Sequence, residues 1–195
     1  MRPLRSFLFI PGDSEKKLGK VDGCGADAVI LDLEDAVAPA NKEGARRLVA
    51  DFLKDRPAGQ RSPQIWVRVN PLDGDLTLGD LVSVIGGAPD GIVHPKADGP
   101  ADVRRLSYYL DALEAQAGLE QGSTKILPVA TETARAPFAL GDYADAGLNR
   151  LYGLTWGAED LSAALGASGN RGADGEWAFT YKMVRSLTLM AAHAA

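Results

Sequence analysis

Two carboxylates stand where a metal-assisted reaction would need them. Glu132 follows the apolar run Lys125–Thr131 (KILPVAT), and Asp160 lies just past Asn149–Thr155. If these runs are neighbouring parallel strands, about 4.8 Å apart, both acids reach one point beyond the strands' C-terminal ends. Two carboxylates completed by water and a bidentate anion suit Mg²⁺, which takes oxygen ligands in an octahedron. The competing reading is plainer: both acids precede or open helices, where carboxylates commonly cap and favour the dipole. The only histidines, His94 and His193, are far apart in sequence, which argues against a histidine-based zinc site.

Other charged groups fall at similar positions. Glu34 and Asp35 follow Asp27–Leu33 (DAVILDL), Arg68 lies within QIWVRVN, and Lys96 follows Pro95. An arginine in an otherwise apolar strand needs a partner if buried. A structural ion pair with Asp32 or Glu34 and an anion-binding role both answer that need. Lys96 is either a Schiff-base lysine or a solvated rim residue. Lys16, Lys17 and Lys20 form the wet face of a short helix, or meet a phosphorylated cofactor.

The elements that must position these groups alternate regularly. Strands are expected at Leu4–Ile10, Asp27–Leu33, Gln64–Asn70, Gly91–His94, Lys125–Thr131 and Asn149–Thr155. Helices are expected after Asp13 or Ser14 as cap, from about Ala40 to Leu53, and through Leu76–Ile85. Others are expected at about Ala101–Ala117, about Thr133–Ala144, from Ala158, and from Glu176 to about His193. On the helix from about Ala40 to Leu53, Lys42, Arg46 and Arg47 make the polar stripe. This βα rhythm builds a parallel sheet with helices outside it. Polar residues at most strand ends, and no G-x-G-x-x-G after the first strand, favour a TIM-type (β/α)8 barrel over a dinucleotide-binding sheet. A barrel needs eight strands and typically about 250 residues. About six βα units are visible in one domain spanning 1–195, so the barrel reads as incomplete, with a shortened chain or a wall supplied by another subunit.

The net charge of −5, with no basic run, excludes a nucleic-acid footprint. The single cysteine, Cys24, has no partner for an internal disulfide and reads as small buried filler. No stretch approaches the roughly 20 apolar residues of a membrane span, and MRPLRSFLFIPGD is too short in apolar residues for a signal peptide. A cytoplasmic protein is expected.

Six segments together carry a resemblance: RSFLFIPGD (5–13), DAVILDLEDAV (27–37), VRVNP (67–71), PK (95–96), ETARA (132–136) and WGAEDLSAALG (156–166). In order and spacing they resemble the citrate lyase β-subunit-like family of the HpcH/HpaI aldolase/citrate lyase superfamily. The resemblance implies a Mg²⁺-dependent carbon–carbon lyase. It would cleave or form a 3-hydroxyacyl thioester such as citryl-CoA or malyl-CoA, giving an acetyl thioester and oxaloacetate or glyoxylate, with coenzyme A as part of the substrate. It implies Glu132 and Asp160 as metal ligands, Arg68 as the grip on the oxoacid carboxylate, and the Gly157 and Ala158 amides as its receivers. Glu34 and Asp35 would stand beside the metal waters, and Arg5 and Lys16 near the thioester carrier. A homo-oligomer, trimer or larger, is also implied. In malyl-type members a catalytic aspartate comes from a C-terminal segment, often across a subunit boundary, and the sequence shows no counterpart. A malyl-CoA thioesterase, a malate-synthase-like enzyme, or a non-catalytic 2-oxoacid or CoA-ester binding protein are the alternatives.

Overall fold

Ala28–Asp32 (AVILD) is buried at every residue, as a strand flanked on both edges and packed on both faces must be. In the computed structural model, which describes residues 4–195, it forms β2. Its neighbours are β1 (Phe7–Pro11) and β3 (Gln64–Arg68), both parallel, with Ile30 opposite Phe9 on one side and Trp66 on the other. β4 (Gly91–His94) pairs with β3 in the same sense, and β5 is Lys125–Pro128. The sheet runs β1-β2-β3-β4-β5 and is open. Spatial order equals chain order, whereas a doubly wound sheet reverses at a switch point. The α/β class and the incomplete barrel-type sheet therefore hold.

The chain divides into two compact units. One comprises the chain up to Val93 with Tyr108–Lys125, the other His94–Ser107 with Ile126–Ala195. In the first, α1 is a single turn, Glu15–Leu18, and the expected side-chain cap is not made. Asp13 instead accepts a hydrogen bond from the Asn41 side chain at 3.0 Å. α2 (Lys42–Lys54) buries Ala45, Val49, Phe52 and Leu53, and α3 (Thr77–Val84) buries Leu81 and Val84. α4 (Pro100–Ala117) opens on a proline, whose fixed φ suits a first turn and whose missing N–H goes unneeded there.

The second unit departs most from expectation. The expected sixth strand is reduced to two isolated parallel bridges, Ile126 with Leu151 and Val129 with Thr155. Tyr152 N–H donates to the Ile126 carbonyl and Thr155 N–H to the Pro128 carbonyl. Pro128 has no N–H to return, so the ladder lapses there, and one extra residue enters the later segment between the bridges. The expected helix over 133–144 is instead a 3₁₀ run, Ala136–Tyr143. Pro137 removes one donor and Gly141 weakens the α-helical alternative. α5 (Ala158–Ala164) and α6 (Phe179–Ala194) pack through Ala158, Leu161, Tyr181 and Val184, with Trp156 and Trp177 edge to face at 5.4 Å.

His94, closing β4, is 1% exposed, and neither ring nitrogen has a hydrogen-bond partner among the described residues. Burial, aided by the Arg105 charge, pushes its pKa down to about 4. Above pH about 6.5 the ring is neutral folded or unfolded; below it only the unfolded chain takes the proton. Stability should therefore fall by about 3 kcal/mol between pH 6.5 and 4 from this residue. Urea unfolding at stepped pH should show that slope flattened in His94→Leu; an unchanged slope would refute the assignment.

Candidate active site

In the first unit, the parallel register sets Asp32 directly opposite Arg68 at the C-terminal ends of β2 and β3. The arginine closes on it with two hydrogen bonds, Nε to Oδ1 at 2.8 Å and Nη2 to Oδ2 at 2.6 Å. Nη1 lies 3.0 Å from Glu34 Oε2 as an ion pair, and the Phe9 ring sits 4.8 Å from the guanidinium carbon. Asp32 also accepts the Glu34 and Ala36 N–H groups at 2.9 and 3.0 Å. Burial alone would raise the Asp32 pKa, but the Arg68 hydrogen bonds and charge, with those two amides, hold it below the usual carboxylate range. Burial works against the guanidinium's charge as well, and Asp32, then Glu34 and Asp35, more than offset it.

The turn that carries Glu34 is pinned by residues expected to be solvated. Lys42 Nζ donates to the Leu33 and Glu34 carbonyls, both at 2.7 Å, and to Asn70 Oδ1 at 2.9 Å. Asn70 donates to Leu33 O at 3.0 Å, and its main-chain and side-chain N–H groups both reach Asp80 Oδ2, at 2.8 and 2.7 Å. Arg46 Nε caps Asp80 Oδ1 at 2.6 Å. Lys42 and Arg46 thus leave the polar stripe for an internal network. The legible signal was Asn70, a polar residue ending an apolar strand. Asp35 and Lys16 are exposed. Arg5 is also exposed and turns to Asp27, its backbone N–H donating to the carboxylate at 2.8 Å.

In the second unit, Glu132 and Asp160 are both tied to Lys96. Glu132 is 7% exposed, and its Oε2 accepts the Lys96 backbone N–H at 2.7 Å. The Lys96 ammonium lies 3.2 Å from Asp160 Oδ2, in the first turn of α5. Lys96 holds φ at +52°, a left-handed conformation uncommon for a residue with a Cβ. Thr133 Oγ1, next to Glu132, donates to Asp98 Oδ1 at 2.5 Å, which joins the same two loops again.

Gly157 explains how Glu132 fits. A Cβ there would lie 2.7 Å from Glu132 Cγ and 2.8 Å from Oε1, so the carboxylate rests directly over glycine backbone. The Gly157 N–H donates to Thr131 Oγ1 at 3.0 Å, and Ala158 begins α5 behind it. Glu159, beside Asp160 in sequence, turns away to accept the Asn170 side-chain amide at 2.7 Å.

Oxygen-only donors at Glu132 and Asp160, over a cradle that a Cβ would fill, fit a hard divalent cation. Among the described residues no three His, Cys, Asp or Glu side chains converge on one point. A cation held here would complete its shell from water and ligand, which is Mg²⁺ behaviour.

Parallel strands in chain order, with acids and bases gathered past their C-terminal ends, define a protein of the β/α-barrel class. The HpcH/HpaI aldolase/citrate lyase family model matches residues 5–194, and the chain belongs to that family. It is 38% identical over 160 residues to citrate lyase subunit beta of Haemophilus influenzae, covering 82% of this chain and 54% of that protein. To the (3S)-malyl-CoA thioesterase of Cereibacter sphaeroides it is 35% identical over 165 residues, 85% and 52% of the two chains. The citrate lyase beta subunit of Mycobacterium tuberculosis, solved with oxaloacetate and magnesium, superposes with a TM-score of 0.71 at 34% identity. That match covers 96% of this chain and 73% of the solved one. The chain spans about half the length of the curated relatives it matches.

Because Gly157 has φ of −128°, its backbone would accept an L side chain, and only the contact with Glu132 forbids one. Gly157→Ala should lose about 1–3 kcal/mol in urea unfolding. Gly153→Ala, where a Cβ meets nothing nearer than Leu127 at 3.9 Å, is the control; equal losses in both would sink the cradle assignment.

Proposed function

We propose that this chain carries the metal and oxoacid half-site of a Mg²⁺-dependent enzyme acting on a 3-hydroxyacyl thioester. The reaction is cleavage or formation of a carbon–carbon bond, as with citryl-CoA or malyl-CoA giving an acetyl thioester and oxaloacetate or glyoxylate. The observation that carries the proposal is the Glu132 carboxylate seated over Gly157, with Asp160 on the same lysine. A bound divalent cation supplies a Lewis acid that lowers the pKa of the substrate hydroxyl and polarises the forming carbonyl.

The remaining work falls to the chain's own groups. Glu132 and Asp160 hold the cation. Arg68 keeps its plane fixed by the two hydrogen bonds to Asp32 and the Nη1 ion pair with Glu34, so the N–H donors that remain meet a substrate carboxylate without first being ordered. The Ala158 amide is assigned to the substrate carboxylate. The Gly157 N–H, expected to join it, is already engaged by Thr131 Oγ1 at 3.0 Å and is assigned a supporting role instead. Glu34, whose turn is pinned by Lys42, and Asp35 are assigned to the waters of the cation, as the family resemblance implies. Lys16 is assigned to the coenzyme A portion. Arg5, expected beside it, precedes β1 and turns to Asp27 before β2, at the opposite end of these strands from Asp32 and Arg68, and is left out of the site. No lysine Schiff base is required.

Similarity to the malyl-CoA thioesterase supports a second reading, hydrolysis of the thioester on the same half-site. The deciding experiment is incubation with citryl-, malyl- and methylmalyl-CoA plus Mg²⁺. Acetyl- or propionyl-CoA with a 2-oxoacid supports the lyase, free thiol with the intact hydroxyacid supports the thioesterase, and oxoacid binding without turnover supports a binding protein. The proposed assembly, a trimer or larger in the cytoplasm, is checked by sedimentation of the purified chain and by fractionating cells.

Two substitutions follow from the assignments. Glu132→Gln and Asp160→Asn should each abolish Mg²⁺ binding in calorimetric titration while circular dichroism stays native; unchanged titrations would remove the metal assignment. Arg68→Lys keeps the charge beside Asp32 but loses the planar fork. It should weaken oxaloacetate binding by about 2 kcal/mol, the lower end for a desolvated pair, and undiminished affinity would free Arg68 of that role.

A further inference from the structure

We infer that Lys96 is the resident counter-ion of the carboxylate pair and that a divalent cation must displace its ammonium, so Lys96 sets the metal affinity. The inference rests on the metal reading above and adds a residue to it.

Lys96 engages the two carboxylates by different means. Its backbone N–H is on Glu132 at 2.7 Å, and its ammonium is 3.2 Å from Asp160 Oδ2. The main-chain contact is bound up with the left-handed conformation, φ +52°, at a position where glycine would be the unstrained choice. A lysine kept in that conformation, with its N–H on one acid and its ammonium on the other, points to a use for the side chain. The ammonium and the Asp160 carboxylate are each about one-third exposed, 33% and 32%, so solvent and ions reach the pair.

Mg²⁺ sits about 2.1 Å from a carboxylate oxygen. An ammonium held against the same carboxylate would then face a dication at close range, and the two repel. The backbone bond to Glu132 has no reason to break, because only the side chain bears the charge. The flexible four-carbon stem lets the ammonium leave while its N–H stays. Metal entry is thus an exchange of one cation for another on Asp160, and the measured affinity is the difference between the two.

Lys96→Gly separates these parts, since glycine keeps the N–H, fits φ +52° and removes the ammonium. Lys96→Arg keeps the charge. In calorimetric titration with MgCl₂ at one pH, Lys96→Gly should bind about two- to fivefold more tightly than wild type, the range of a partly exposed ion pair. Lys96→Arg should stay within about twofold of wild type. Equal or weaker binding by a natively folded Lys96→Gly overturns the inference, as does Lys96→Arg binding as tightly as Lys96→Gly. If wild type and Lys96→Gly bind equally while Asp160→Asn does not bind, the inference falls and the metal reading stands. If wild type, Lys96→Gly and Lys96→Arg all fail to bind, both fall.

Discussion

The register between β2 and β3 is the constraint on which the first unit turns. It fixes Asp32 opposite Arg68, and with Asp32 buried and Arg68 largely so neither can be left alone. An unpaired charge in that position costs far more than the pair gains over an apolar alternative. A slip of one residue would turn one strand's side chains over relative to the other's and strand the guanidinium. The buried pair therefore discriminates against wrong registers more than it adds stability. It also explains why the competing readings of Arg68 are not alternatives. An arginine has five donors in a rigid fork; two are spent on Asp32 and hold the plane still, and Nη1 faces Glu34, which leaves a fixed plane of the kind a carboxylate-binding arginine requires.

The second unit solves a different problem, packing a carboxylate against backbone. Glu132 is buried and yet not enclosed by side chains on the Gly157 side. The loop after the lapsed sixth strand approaches closely because nothing projects from that glycine. The apolar cluster of Ala158, Leu161, Tyr181 and Val184 then holds α5 in place against α6, so Asp160 is presented from a packed helix rather than a free loop. Local irregularity and rigid support meet at one short segment.

Much of this was legible in the residue pattern. The apolar runs gave six expected strands, five of which form the sheet, and the acids at their ends gave the candidate site. LDLEDAV and GAEDL carried the family. What escaped was set by pairwise geometry that spacing does not encode. Lys42 and Arg46 have the spacing of a wet helix face, and only the fold reveals that Asn70 and Asp80 reach them. Lys96 reads as a rim residue because its left-handed backbone and its two acid partners come from three separate segments. The sixth strand failed for a reason that was in the sequence but on its neighbour: Pro128, unable to donate.

Similarity to both a lyase subunit and a thioesterase is less contradictory than it first appears. Carbon–carbon cleavage and thioester hydrolysis of a malyl-type substrate both begin with the oxoacid-derived end gripped as an anion. They diverge at the other end, in whether the electron pair of the broken bond goes to carbon or to sulfur. Glu132, Asp160 and Arg68 address the shared end in the proposed reading. The same three residues are therefore expected in either chemistry, and similarity to both kinds of relative, at 38% and 35% identity, accords with that reading. Reaction type must then be decided by groups that face the thioester carbonyl, and a substitution that converts one activity to the other belongs there rather than among the carboxylates that hold the metal.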